Sequence, residues 1–212
     1  NVYNERLLRL LAETQIPKVF LDTSSLVAPD ELNGDLLLME SRTSVRRITS
    51  HLLEQGRTLP GFIGDIGYAQ SNRERYEGFC QALTDAGKKV DSSLCLTTPL
   101  GIDTYREEID TFLSSLSRMP DAFVCASDYV ACILMQLLEK RGLRVPEDVA
   151  VSGFDNNTED LLAEHLTTVQ VFNEELGARL ALQILYRIKY PNTPHEITYL
   201  GTNVLYRDST GD

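Results

Sequence analysis

The apolar positions of this 212-residue chain fall into two recurring patterns. One is a stripe at three- and four-residue intervals, which makes a helix amphipathic; the other is a short unbroken run, which reads as a strand covered on both faces. Residues 4–14 set Leu7, Leu8, Leu10 and Leu11 on one broad stripe, and Ile16-Pro17 stops that helix before the run Val19-Phe20-Leu21. Residues 23–40 form a long connection with two candidate strand fragments. Helical spacing returns over 44–55 with Val45, Ile48 and Leu52 and ends at Gly56, and Gly61-Phe62-Ile63 is the next buried strand.

Polar residues punctuate the second half. Ser71-Asn72-Arg73-Glu74 has the form of a capping box, a hydroxyl and a carboxylate satisfying free amides reciprocally, and predicts a helix over 72–86 that carries Tyr76, Phe79 and Leu83 up to Gly87. Thr104 with Glu107 repeats the box before Ile109, Phe112, Leu113 and Leu116. Asp128 reads as the N-cap of a helix bearing Ala131, Leu134, Met135 and Leu138, closed by Gly142. Strands are expected at 121–126 and 149–151, a last helix over 174–189, and a two-sided strand region over 196–206. Strands alternate with helices almost throughout, which predicts an α/β chain with doubly wound parallel sheet.

Composition narrows the function. Hydrophobic residues at 42% and charged residues at 24% are ordinary for a globular protein, which excludes disordered and low-complexity classes. Lys and Arg number 20 against 31 Asp and Glu, a net charge of −11 that repels phosphates, so this stretch alone is not expected to bind nucleic acid. No apolar run approaches the ~18 residues of a membrane span, and residues 1–30 lack a basic-then-apolar signal pattern. Cys80, Cys95, Cys125 and Cys132 form no C-x-x-C pair and have no histidine at ligand spacing. Reduced thiols of a cytoplasmic protein are therefore expected, with no zinc site, no other metal and no cofactor. Nucleophile-elbow, P-loop, dinucleotide and HExxH motifs are absent, and His51, His165 and His195 have no nucleophile at short range, so the chain is not expected to be an enzyme.

In doubly wound sheets the ligand crevice lies beyond the carboxyl ends of the strands. There stand Asp22, Asp65, Ser127-Asp128 and Asp155. Carboxylates gathered at strand ends accept hydrogen bonds from a neutral, hydroxyl-rich ligand and oppose a phosphorylated one. A blander reading makes Asp128 a helix cap, Asp65 a turn former and Arg75 a solvated surface charge, and leaves Asp22 and Asp155 open between the two.

Longer stretches carry a family resemblance. Arg141-Gly142-Leu143-Arg144-Val145-Pro146-Glu147-Asp148-Val149-Ala150-Val151-Ser152-Gly153-Phe154-Asp155 resembles the LacI/GalR family of sugar-responsive repressors. So do Leu166-Thr167-Thr168-Val169, Glu174-Glu175-Leu176-Gly177, Ile16-Pro17-Lys18-Val19-Phe20-Leu21-Asp22, His51-Leu52-Leu53-Glu54-Gln55-Gly56, Arg75-Tyr76-Glu77-Gly78-Phe79 and the run from Pro120 to Asp128. These stretches span nearly the whole chain.

The resemblance implies a periplasmic-binding-protein-like fold of type I, two doubly wound parallel-sheet lobes joined by three crossings. The crossings are expected near Asp65, near Phe172 and near 191–194. Residues 1–65 with 173–193 would then form a partial first lobe, and 66–172 with 194–212 the second. It implies effector contacts from Arg75 and Asp155, joined by Asp22; Ser71, Ser127 and Phe172 complete the candidate set. Ser127 stands where family members commonly carry Asn, and Thr97-Thr98-Pro99-Leu100 stands where several present a stacking ring, which leaves Tyr68 or Phe172 to supply one.

The function implied is the effector-binding and dimerisation portion of a bacterial transcriptional repressor. A small neutral ligand, a sugar, would shift the interlobe angle and with it operator affinity. Operator DNA would be held by a basic headpiece that does not precede Asn1, and the helix carrying Val45 and Ile48 would pair two copies as a homodimer. The first lobe, short of its opening strands, is expected to leave an apolar edge at Val19–Leu21. The alternative is a periplasmic or extracellular sugar-binding protein of the same fold, against which the Val145-to-Asp155 stretch and four unpaired cysteines speak.

Overall fold

The computed structural model describes residues 3–101, 103–157 and 164–212. In chain order its first elements are α1 (Glu5–Glu13), β1 (Val19–Leu21), β2 (Asp35–Met39), α2 (Arg42–Glu54), β3 (Pro60–Ile63) and α3 (Gln70–Asp85). There follow β4 (Cys95–Leu96), α4 (Tyr105–Ser115), β5 (Ala122–Cys125), α5 (Asp128–Lys140) and β6 (Ala150–Ser152). The chain continues through β7 (Thr168–Gln170), α6 (Asn173–Lys189), β8 (Ile197–Leu200) and β9 (Asn203–Leu205).

Two parallel sheets form, in the orders β1-β2-β8 and β4-β3-β5-β6, and β7 pairs with β9 as an antiparallel ribbon. Single parallel bridges from Ser152 to Thr167 and from Asp155 to Gln170 tie that ribbon to the end of the second sheet. The chain is thus α/β with two parallel-sheet lobes. Among the described residues no helix is long and apolar enough to cross a membrane.

The second lobe shows why its strands read as unbroken apolar runs. Phe62 and Val124 turn to one face of the sheet and pack with Val45, Ile48 and Leu52 of α2 and Phe79 and Leu83 of α3. Ile63 and Phe123 turn to the other and pack with Ile109 and Leu113 of α4 and Leu134 and Leu138 of α5. Helices on both faces leave no polar side for successive residues to alternate towards. Gly78 lets α3 approach α2: a Cβ there would collide with the Arg42 carbonyl oxygen.

The first lobe has a smaller apolar cluster, Leu8, Phe20, Val27, Leu32, Leu36 and Leu38. Its second support is polar. Arg187 of α6 donates to both carboxylate oxygens of Asp35, at 3.0 Å from Nε and 2.5 Å from Nη2, with Gln183 adding 2.9 Å and the Glu196 amide 2.9 Å. β1 stands at the edge of its sheet beside an apolar groove of about 360 Å³ lined by Leu11, Ile16, Val19, Phe20, Leu21 and Leu180.

Several expectations are corrected. α2 and β3 belong to the second lobe, so the first crossing falls at Glu40-Ser41 and not near Asp65; β8 belongs to the first lobe, so the last crossing falls at Gly201-Thr202 and not at 191–194. These two crossings run side by side: the Thr202 hydroxyl donates to the Glu40 carbonyl at 2.9 Å and meets the Ser44 hydroxyl at 2.8 Å. Val45 and Ile48 are buried inside the second lobe and cannot pair two copies. Thr104 precedes α4, but its hydroxyl bonds to Glu108, one residue beyond the expected partner Glu107. The N-cap of α5 is Ser127, whose hydroxyl accepts from the Val130 amide at 3.4 Å, and Asp128 is the first helical residue.

Candidate functional site

Residues that follow the carboxyl ends of β1, β5 and β6 meet the first two turns of α3. Ser71 is not the cap of that helix. The N-cap is Ala69, without a side-chain bond, and the free amides of the first turn are satisfied from the other lobe. The Gln70 amide donates to the Thr23 carbonyl at 2.8 Å and the Ser71 amide to Asp22 Oδ1 at 3.3 Å. The Ser71 hydroxyl donates to Asp22 Oδ2 at 2.6 Å. A carboxylate at a helix N-terminus is also favoured by the helix dipole, so this junction is an interlobe cap. Asp22 is buried and holds a left-handed backbone, φ +56°.

One turn along α3, Arg75 is buried with its guanidinium 3.7 Å from the ring centroid of Phe154. Nη1 donates to the Ala126 carbonyl, and Nη2 lies 3.6 Å from Asp155 Oδ1. The Nε–H has no acceptor among the described residues. Asp155 has φ +112°, a conformation rare for any residue with a Cβ, and its side chain is 44% exposed. Burial raises its carboxyl above the usual range, and the Arg75 charge opposes that rise. Backbone strain of this kind costs on the order of 1–3 kcal/mol and persists where surrounding structure enforces it.

The loop after β6 is held from below. Asp128, buried, accepts from the Thr168 hydroxyl at 2.6 Å and the Asn157 amide at 2.8 Å, and burial pushes its carboxyl up to about 6. Gly153 is needed here because a Cβ would strike Asp128 Oδ1. Asn156 receives Arg207 Nη2 on its side-chain oxygen at 2.8 Å and donates to Gln170 at 2.5 Å.

Of the candidate residues, Ser71 meets Asp22 and Arg75 lies beside Asp155, and α3 carries Ser71 and Arg75 about one turn apart. Ser127, the residue after the Ala126 carbonyl that anchors Arg75, joins them through the backbone. Phe172 is the N-cap of α6 at the second crossing and is 37% exposed. Asp65 behaves as a turn former, accepting from the Gly67 and Tyr68 amides at 2.8 and 3.1 Å. Tyr68 packs on Tyr3, ring centroids 4.5 Å apart.

Pattern reading missed Glu74. It is buried in α3, its carboxyl raised by that burial, and it accepts from the Tyr199 hydroxyl of β8 at 2.8 Å, a further bond between the lobes. Its place in the expected capping box Ser71-Asn72-Arg73-Glu74 pointed to a different partner, and the one it takes lies 125 positions away. Taken together the groups offer carboxylate acceptors and a fixed guanidinium donor, which suit a ligand bearing hydroxyls.

Comparisons with known proteins agree with this fold. A family model described as a periplasmic binding protein-like domain matches residues 49–210. The HTH-type transcriptional regulator DegA of Bacillus subtilis (strain 168) is 31% identical over 170 residues, 79% of this chain and 48% of its own length. The HTH-type transcriptional repressor PurR of Aliivibrio fischeri (strain MJ11) is 29% identical over 209 residues, 97% of this chain and 61% of its own. The chain spans less than two thirds of either relative. The solved complex of the transcriptional regulator CelR with cellobiose superposes with a TM-score of 0.78 at 26% identity, covering 97% of this chain and 69% of that one.

Proposed function

The chain belongs to the periplasmic binding protein-like family, in the form carried by LacI/GalR-type transcriptional regulators, and from that premise we propose that it senses a small, neutral, polyhydroxylated ligand, a sugar. The observation that carries this reading is that α3 holds both contacts, Ser71 on Asp22 of the first lobe and Arg75 beside Asp155 of the second. Ligand hydroxyls would donate to Asp155 and Asp22 and accept from Arg75. The cellobiose bound to CelR supports the ligand class, and the cluster of carboxylates opposes phosphorylated compounds.

A ligand can shift the lobes only by binding their two relative angles unequally. Here it would compete with Ser71 for Asp22 and so act on the bond that joins the lobes. A typical coupling of about 1–3 kcal/mol would change operator affinity roughly 5- to 150-fold. In this reading the intact regulator is a cytoplasmic homodimer and a repressor. Its DNA contact lies in a separate basic segment, because a net charge of −11 repels the phosphate backbone.

Calorimetric titration of the wild type, Arg75→Ala and Asp155→Asn against a panel of mono- and disaccharides tests the proposal. At least one sugar should bind the wild type, and both substitutions should weaken it roughly 10- to 100-fold, the worth of a charge-assisted hydrogen bond, without loss of secondary structure. Equal affinity in all three proteins would overturn the site; a panel that leaves the wild type silent would overturn the ligand class.

A further inference from the structure

Tyr3 and Tyr68 meet from opposite lobes. Tyr3 stands just ahead of Asn4, the N-cap of α1, and Leu8 of that helix belongs to the apolar cluster of the first lobe. Tyr68 stands between β3 and α3 of the second lobe. Their ring centroids are 4.5 Å apart, with 44° between the planes. The backbone under Tyr68 is fixed from both lobes: Asp65 accepts from the Gly67 and Tyr68 amides, and the Gly67 carbonyl accepts from the Ser25 hydroxyl at 2.9 Å. The Tyr68 ring is nevertheless 50% exposed, so it is a rigidly mounted face that the core does not use.

The Tyr3 phenol also reaches the interlobe aspartate. Asp22 Oδ1 accepts from the Thr23 amide at 2.7 Å and the Ser71 amide at 3.3 Å; Oδ2 accepts from the Ser71 hydroxyl at 2.6 Å and the Tyr3 hydroxyl at 3.5 Å. A carboxylate offers about four acceptor sites, so these donors leave Asp22 none to spare. A ligand hydroxyl gains a place there only by displacing one of them. The longest bond is the weakest and yields first, ahead of Ser71, and that bond is the one from Tyr3.

Tyr3 therefore brings to this junction what a ligand would bring, a hydroxyl for Asp22 and a ring for the face of Tyr68. We propose that Tyr3 is a built-in competitor, whose phenol holds the ligand's place on Asp22 and Tyr68 and must be turned out before an effector is held. The inference rests on reading this junction as the ligand site. It also sets a selectivity: a guest with a hydroxyl but no flat face forfeits the Tyr68 contact, and a flat guest without a hydroxyl takes a donor from Asp22 and returns none.

The test compares full-length wild type, Tyr3→Phe, Tyr3→Ala and Tyr68→Ala. In calorimetry against the panel of mono- and disaccharides, a sugar that binds wild type should bind Tyr3→Ala roughly 2- to 10-fold more tightly, the worth of one aromatic pair. Tyr3→Phe, which keeps the ring on Tyr68, should gain less, and Tyr68→Ala should bind more weakly than wild type. Equal or weaker binding by Tyr3→Ala overturns the proposal, since neither a bystander nor a ligand contact holds affinity back. Hydrogen exchange reads the same contact without any sugar. The Gln70 and Ser71 amides, which donate to Thr23 and Asp22 of the first lobe, should exchange roughly 2- to 10-fold faster in unliganded Tyr3→Ala, while amides of β3 and β5 keep their protection. Unchanged exchange at both amides overturns the proposal. A wild type that binds no sugar overturns the sugar reading, and the exchange rates then decide for or against Tyr3.

Discussion

The two lobes solve the same problem with different means. In the second, a four-stranded sheet is covered on both faces by α2, α3, α4 and α5, and two apolar clusters fill the spaces. In the first, a three-stranded sheet has one small cluster, and α6 buries only Leu176, Gln183 and Arg187 while Leu182, Leu185 and Ile188 are about 60% exposed. Where apolar area is scarce, the helix is fastened by an ion pair that must stay paired: Asp35 and Arg187 are both almost fully buried. Such a pair fixes geometry more than it adds stability, because desolvation offsets most of its attraction. The first lobe should accordingly open at lower free energy than the second.

The largest expected effect breaks this contrast directly. Arg187→Ala leaves the Asp35 carboxylate buried without its countercharge and should cost about 3–5 kcal/mol. In native-state hydrogen exchange, amides of β1, β2 and β8 should lose protection while those of β3 and β5 keep theirs; uniform loss would show that the lobes unfold as one unit.

Asp128 tests the support beneath the second lobe's cleft loop. Its folded pKa of about 6, raised chiefly by burial, exceeds the ordinary aspartate value of 3.8, so folding favours the protonated form. Its contribution is fully present below about pH 4 and is lost as pH rises through about 6. Urea midpoints of wild type and Asp128→Asn across that range should diverge by an amount on the order of 2–3 kcal/mol, with the wild type losing stability as pH rises. Parallel curves would show that Asp128 does not titrate there.

Tyr199→Phe should have the smallest effect. It removes the hydroxyl that crosses from β8 to Glu74, and the net worth of one such bond is about 1 kcal/mol. The melting temperature should fall by roughly 2–4 °C. No change would mean that this bond does not couple the lobes.

Much of the order of elements was legible from local pattern. Helix 72–86 is observed at Gln70–Asp85, the helix opened by Ser127-Asp128 runs to Lys140, and the apolar runs at Phe62 and Val124 are strands. Periodicity and turn residues act within a few positions, so the amino-acid order alone carries them. Family motifs brought Asp22, Arg75 and Asp155 forward as a set.

Three things were decided only by the folded chain. Local pattern did not say that Pro60–Ile63 joins the second sheet, because backbone hydrogen bonds do not distinguish one apolar run from another. Nor did it say that Ser71 spends its hydroxyl on Asp22: a serine near a helix start is equally a cap, until another segment 49 residues away supplies a stronger acceptor. The buried pair Asp35–Arg187 and the part-buried pair Glu74–Tyr199 join residues 152 and 125 positions apart. What a polar side chain does is set by which partner remains when water is removed, and that is a property of the packed molecule.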